Sequence, residues 1–417
     1  MLPLLLAAAL AVASVPRAVD VGPSAFYAQS DAGAQLVGLD IVVSAGTARQ
    51  GATQNGLAAL AAQTLLFTKL DGVRLVDRVA AAGGSIDFTV EPDVVRFSVE
   101  ALPAALPAIG ADLARAIAAP DASPQTVAAA RIALGARIDD AQSNPVSVGI
   151  EMLRASYYAG PAGAPSFGTN ASLANLVPAD VGAFLAAHYL RGTSFATATG
   201  AVGAATAPAA STVLAAFGSG TEAPVVLRAR PFAIEPKHLV TQREIGVPFA
   251  MVGFAAPAMT DRDFAAMLVV RSLLDDVAAR RSPTTLALFQ RGIDVVYAYD
   301  VKPATFTVAI NGSEIDPTAG LTVLEAILKT AVSKPLGSDV IKRYKETARG
   351  EWALEAMTFT DRAWQIATAV NQGADPAAAQ SVTGAIDRVT PADVRRVAKT
   401  YLQRYAVAIV APRRRAR

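Results

Sequence analysis

The chain has 417 residues, of which 53% are hydrophobic and 17% charged, with a formal net charge of +2. That length exceeds one ordinary core and suits two domains, and the apolar fraction argues against disorder. The near-neutral balance gives no basis for a nucleic-acid partner, and the absence of cysteine excludes disulfides, thiolate metal sites and cysteine nucleophiles.

Read from the start, Met1 to Ala13 is apolar but too short to span a bilayer. It fits the apolar region of a secretory signal peptide. Ala11-Val12-Ala13 offers a small-x-small cleavage site and a second candidate follows Ala18, although no Lys or Arg precedes the apolar run. We therefore assign 1–18 to a signal peptide and expect export, into the periplasm if the source is a Gram-negative bacterium. A lipoprotein anchor needs a cysteine and is excluded, and no other segment is apolar for long enough to be a transmembrane helix.

A strand is expected over 36–44 and a helix over 56–67. Two strands follow with period-two alternation, Gly84 to Val90 and Val94 to Val99, joined through Pro92. Two or three helices lead to a helix that opens at Val177-Pro178-Ala179-Asp180 and ends at Tyr189-Leu190, and a short strand closes over 195–202. Gly, Ser and Pro between Gly218 and Pro236 read as a linker, assigned to 221–236.

The same order then recurs: a strand over 247–254, a helix over 261–274, and a strand pair from Gly292 through Pro303 to Ile310. Last come a helix opening at Thr390-Pro391-Ala392-Asp393 and a strand over 406–410. Gly292 lies 208 positions after Gly84 (292 − 84 = 208), and Pro391 lies 213 after Pro178 (391 − 178 = 213). Two landmarks at nearly one offset argue for duplication of a domain of half the chain. The fold class is α+β, with two homologous domains at 19–220 and 237–417.

No catalytic constellation stands out. The two histidines, His188 and His238, are fifty positions apart and cannot form a short zinc motif. His188 reads as a packed or capping residue and His238 as part of a linker. Asp139-Asp140 and Asp275-Asp276 are adjacent pairs whose members do not face each other on a helix, so they read as solvated helix ends. Gly83-Gly84 is a turn without the Lys-Ser/Thr of a phosphate loop. The arginines at 413–415 and 417 read as a solvated end.

One segment carries a specific resemblance. Gly56-Leu57-Ala58-Ala59-Leu60-Ala61-Ala62-Gln63 resembles the opening of the zinc helix of the M16 metallopeptidases, the insulinase, pitrilysin and mitochondrial processing peptidase family, where the pattern is Gly-Leu-Ala-His-x-x-Glu-His. Further pieces are in the family's order: Leu65-Leu66-Phe67, Ala82-Gly83-Gly84-Ser85, Gly168-Thr169, Leu173, Leu176 to Val181, Tyr189, Gly253-Phe254, Pro257 and Asp261 to Ala266. The resemblance covers nearly the whole chain after residue 18. It implies two domains facing each other as a clamshell.

It also implies that the zinc chemistry is gone. Ala59 and Gln63 stand where the two histidines would be, Ala62 replaces the glutamate that activates water, and Arg137 stands at the place of the third ligand. Ala130 occupies the position of that ligand's partner glutamate. Neither methyl, amide nor cation can replace imidazole or carboxylate at a divalent metal. The resemblance thus implies a non-catalytic chain with no catalytic residue, no metal ligand and no cofactor. Its partner would be a zinc-bearing M16 subunit, with which it would hold an extended peptide by strand addition over Ile86 to Val90. In two-chain bacterial M16 enzymes the zinc-free partner contributes an Arg and a Tyr, seven apart, to peptide binding. Here Arg291 and Tyr297, six apart, are the substrate-binding candidates. Two alternatives stay open: a purely structural subunit like the core proteins of the respiratory cytochrome complex, and a hydrolase with an unrecognised site.

Overall fold

A computed structural model describes residues 16–20, 25–233, 235–246, 248–280, 293–311, six positions between 322 and 333, and 337–413. In chain order the first half runs β1 (Arg17–Asp20), β2 (Ala25–Ser30), β3 (Val37–Val43) and helix α1 (Leu57–Phe67). A small hairpin, β4 (Lys69–Leu70) and β5 (Val73–Arg74), leads to α2 (Leu75–Ala81) and the pair β6 (Ser85–Val90) and β7 (Val95–Ala101). Helices α3 (Leu106–Ala118), α4 (Pro124–Ser143), α5 (Pro145–Tyr157), α6 (Asn170–Ala174) and α7 (Pro178–His188) follow, then β8 (Ser194–Gly200) and α8 (Thr206–Ala216). The second half begins with β9 (Lys237–Arg243), β10 (Phe249–Ala256), α9 (Phe264–Arg280), β11 (Ile293–Ala298) and β12 (Ala304–Asn311). It continues through α10 (Ser338–Leu354), α11 (Phe359–Asn371), α12 (Ala378–Arg388) and α13 (Pro391–Tyr401) to β13 (Tyr405–Pro412).

Apart from the β4–β5 hairpin, the described strands form two mixed sheets of one design. The first has the order β1-β2-β8-β3-β7-β6 and the second β11-β12-β10-β13-β9. Read from the opposite end, the second repeats the first without β1. In each, the last strand of the half pairs antiparallel with the central strand and parallel with the strand on its other side: β8 with β3 and β2, β13 with β10 and β9. The class is α+β, as expected, with each half built around its own apolar core.

Each half also lends a helix to the other. Helix α5 packs its Val148, Leu153 and Tyr157 with Met251, Ala408 and Val410 of the second sheet, while α11 lays Ala367 and Trp364 against Val42, Val94 and Phe195 of the first. This is why β3 is buried at all seven positions instead of alternating: its sheet has helices on both faces. The central strands carry the trace of that approach. A Cβ on Gly38 of β3 would come within 2.4 Å of the Phe359 backbone, and one on Gly253 of β10 within 2.9 Å of the Leu153 side chain. The two glycines are 215 positions apart (253 − 38 = 215).

Several local expectations are corrected. Helix α9 starts at Phe264 and not at Asp261, because Asp261 lies in the preceding turn, where its carboxylate accepts from the Ala258 N–H and its carbonyl from the Phe264 N–H. His238 sits on strand β9, exposed and paired to β13, and not in a linker. Asp275 is half-buried within α9 and not a solvated end; burial first, then the carboxylate of Glu351, pushes its carboxyl up to about 6. His188 does pack as expected, edge-on to Phe184 with centroids 4.7 Å apart, and its Nδ1 is 3.0 Å from Glu222.

Candidate functional site

Every residue of α1 from Leu57 to Leu66 is buried. Small side chains allow this: Ala58, Ala59, Ala61 and Ala62 are fully enclosed, as is Ala130 on the neighbouring α4. The helix starts at Gly56, whose φ of 90° and close approach to the Gly168 Cα leave no room for a side chain. Its first turn is completed from outside, because the Gln50 side-chain oxygen accepts from the Ala58 N–H at 3.0 Å. The sequence reading did not identify Gln50, which is eight residues away on an irregular segment.

The resemblance puts zinc ligands at Ala59, Gln63 and Arg137. In the structure these positions present two helices packed through methyl groups and a cation. Gln63 is 6% exposed, and among the described residues no group of three or more His, Asp or Glu is placed to hold a metal ion.

Arg137 leaves the α4 surface for the edge of β6. Its guanidinium lies 4.6 Å from the centroid of Phe88 and 4.6 Å from that of Phe167, two rings standing edge to face at 85°. One terminal nitrogen donates to Asp87 at 2.9 Å and the other to the Phe88 carbonyl at 3.2 Å. Stacking with aromatic faces stabilises a planar cation.

Among the described residues, strand β6 is the outer strand of its sheet, paired only with β7. Its side chains alternate strictly, with Ile86, Phe88 and Val90 buried and Ser85, Asp87 and Thr89 exposed. The hairpin closes with the Glu91 N–H donating to the Val94 carbonyl at 2.8 Å. In an antiparallel ladder the bonded pairs alternate. Residues Thr89 and Asp87 therefore bond to β7, and the N–H and C=O groups of Val90, Phe88 and Ile86 face outward. That row is a template for an added strand.

The equivalent helices of the second half, α9 and α10, are filled differently. Arg271 lies 208 positions after Gln63 (271 − 63 = 208), and Glu351 lies 214 after Arg137 (351 − 137 = 214). These two are in contact. Arg271 is 7% exposed and donates to Glu351 at 3.2 Å and to Glu355. The Ser272 hydroxyl donates to Glu351 at 2.8 Å and the Tyr299 hydroxyl to Glu355 at 2.9 Å.

Of the two substrate-binding candidates, Arg291 lies outside the described residues. Tyr297 is on β11, the outer strand of the second sheet, and is 7% exposed. Its ring packs against Phe264, Tyr299 and Phe306, and its hydroxyl donates to the Pro257 carbonyl. Burial raises its pKa well above the usual phenol value.

A polar seam joins the halves, and no local sequence signal announced it. Arg96 donates to the fully buried Asp40 at 2.8 Å and to the Thr360 carbonyl at 2.7 Å, and lies over the Trp364 ring. Burial pushes the Asp40 carboxyl up to about 6, and Arg96 opposes that. The indole N–H of Trp364 donates to Asp300, and the Asn371 amide to Asp93. A cavity of about 520 Å3 opens beside this seam, lined among others by Asp93, Arg191, Thr193, Glu222, Val370 and Asn371.

No protein-family model matches the sequence, and no curated protein matches it significantly. Solved structures do match in fold. A protease from Helicobacter pylori superposes with a TM-score of 0.82 at 13% identity, covering 95% of this chain and 99% of that one. An inactive peptidase M16 domain from Pseudomonas fluorescens gives 0.79 at 14% identity, over 96% and 99% of the two chains. A chain of complex III2 from Candida albicans, with Inz-5 bound, gives 0.75 at 12% identity over 96% of each. At such identities the likeness is one of fold, and the fold is the two-domain M16-like arrangement.

Proposed function

We propose that this chain is a non-catalytic M16-like subunit that binds an extended peptide along β6 and completes the site of a zinc-bearing M16 partner. One observation carries the reading. An open strand edge, with outward backbone groups at Ile86, Phe88 and Val90, lies beside a helix pair that holds Ala59, Gln63 and Arg137 at the ligand positions and Ala62 at that of the water-activating glutamate. Such an edge can hold a peptide by backbone hydrogen bonds without a metal. Export is part of the proposal and would place the pair in the periplasm of a Gram-negative source. Among the described residues no helix is long and apolar enough to cross a membrane.

In this reading Arg291 and Tyr297 are the second half's contacts with the peptide. For Tyr297, that contact requires its hydroxyl to leave the Pro257 carbonyl. The alternative, a purely structural subunit, draws on the likeness to the complex III2 chain.

The test is a pull-down from the native envelope fraction, followed by assay of the recovered pair. The purified chain should hold no stoichiometric zinc by elemental analysis and cleave no peptide. It should raise the turnover of its zinc-bearing partner. About one zinc per chain, lost on chelation together with activity, overturns the non-catalytic reading. An unchanged partner rate in an intact complex favours the structural alternative.

A further inference from the structure

We propose that Arg137 is a carboxylate-binding residue at the edge of β6, so that the peptide held there carries a carboxylate next to the position of Phe88. This rests on the peptide-binding reading above and narrows it to a substrate class.

Phe88 is one of the three residues whose backbone groups face outward, and its carbonyl accepts from Arg137 at 3.2 Å. The guanidinium also reaches Asp87, whose side chain leaves the strand on the opposite face from Phe88. It therefore lies across the edge itself, where an added strand must run. A neutral peptide meets an obstacle there. A peptide with a carboxylate meets a donor fork of matching geometry.

Two features make the exchange feasible. The cation is positioned by the Phe88 and Phe167 rings and by a backbone carbonyl, so its place does not depend on Asp87. Its side chain is 30% exposed and that of Asp87 is 70% exposed, and ion pairs so open to water are weak. An incoming carboxylate can replace Asp87 while the guanidinium stays. The Phe88 carbonyl has two lone pairs and can accept from Arg137 and from a peptide N–H together.

The carboxylate can come from an Asp or Glu side chain or from the peptide's C-terminus. Four versions of one labelled, strand-forming peptide separate these: Glu or Gln at its centre, each with a free or an amidated C-terminus. Binding is read by fluorescence anisotropy at low and high salt. At least one carboxylate-bearing version should bind about ten-fold more tightly than the fully neutral one, with the difference shrinking as salt rises. Arg137→Gln should abolish the difference. Asp87→Asn should enlarge it, because it frees the guanidinium of its competitor; this variant removes an exposed group and serves if Arg137→Gln folds poorly. Equal affinities for acidic and neutral peptides in the unmodified chain overturn the inference and leave the peptide-binding reading standing. So does an acidic preference that survives Arg137→Gln. If none of the four peptides binds, the peptide-binding reading falls as well.

Discussion

The two helix pairs, α1 with α4 and α9 with α10, occupy matching places beside matching outer strands, yet they solve the same packing problem in opposite ways. The first is closed by alanines and sends Arg137 out to the strand edge. The second keeps its cation inside, where Arg271 is held between Glu351 and Glu355 and joined by Ser272 and Tyr299. A framework that resembles a metal site can thus be sealed with methyl groups or with an internal ion cluster. The first solution places its arginine at an open strand edge, and the second keeps its arginine between two helices.

Removing the inner cation should have the largest effect. Arg271→Leu leaves Glu351 and Glu355 without their counter-charge in a mostly buried setting, and should destabilise the chain by about 3–5 kcal/mol in urea unfolding. Arg137→Gln breaks a half-exposed pair and two ring contacts, and should cost about 1 kcal/mol. If the two variants unfold at the same urea concentration, the contrast between an internal and a peripheral cation is wrong.

The glycines of the central strands extend the comparison to the lent helices. Gly38→Ala drives a methyl into the Phe359 backbone at 2.4 Å, which cannot yield without moving α11. Gly253→Ala meets only the end of the Leu153 side chain, at 2.9 Å, which can rotate. Overpacking of this kind costs about 1–3 kcal/mol, and Gly38→Ala should lie at the top of that range and Gly253→Ala at or below its foot. Thermal unfolding of both variants checks the order; a reversed order would mean that α5 and not α11 is the more rigidly held helix.

What the sequence made legible follows from how local each signal is. The alternation of Ser85 to Val90 lies within one strand, and the run of small residues from Ala58 to Ala62 within one helix, so both could be read directly. The pairing of Arg271 with Glu351 could not. The connection between β10 and α9 (residues 257–263) is shorter than that between β3 and α1 (residues 44–56), so the offset between the halves changes along the chain and hides the match. The exchange of α5 and α11 left only Gly38 and Gly253 as traces, and each alone reads as an ordinary strand glycine. The place of Arg137 depends on Phe167, thirty residues further on in an irregular segment.

A pH-dependent effect belongs to the seam that the two halves share. The carboxyl of Glu91 is pushed up to about 8, first by burial and then by the Asp300 carboxylate, with Asp93 adding to the rise and Arg154 and Arg96 opposing it. Its ordinary value is 4.5. The folded chain therefore keeps this proton over a range where the unfolded chain has lost it. The resulting stability is fully present below about pH 4.5 and is lost as the pH rises to about 8. Glu91→Gln removes the titration and keeps the shape. The unmodified chain should lose about 1–2 kcal/mol more than the variant between pH 5 and pH 8.5, a figure reduced from the full shift because the side chain keeps some access to water. Urea midpoints across that range measure it. Parallel pH profiles for the two proteins would show that the seam tolerates the Glu91 charge, and would leave the contrast between the halves confined to their interiors.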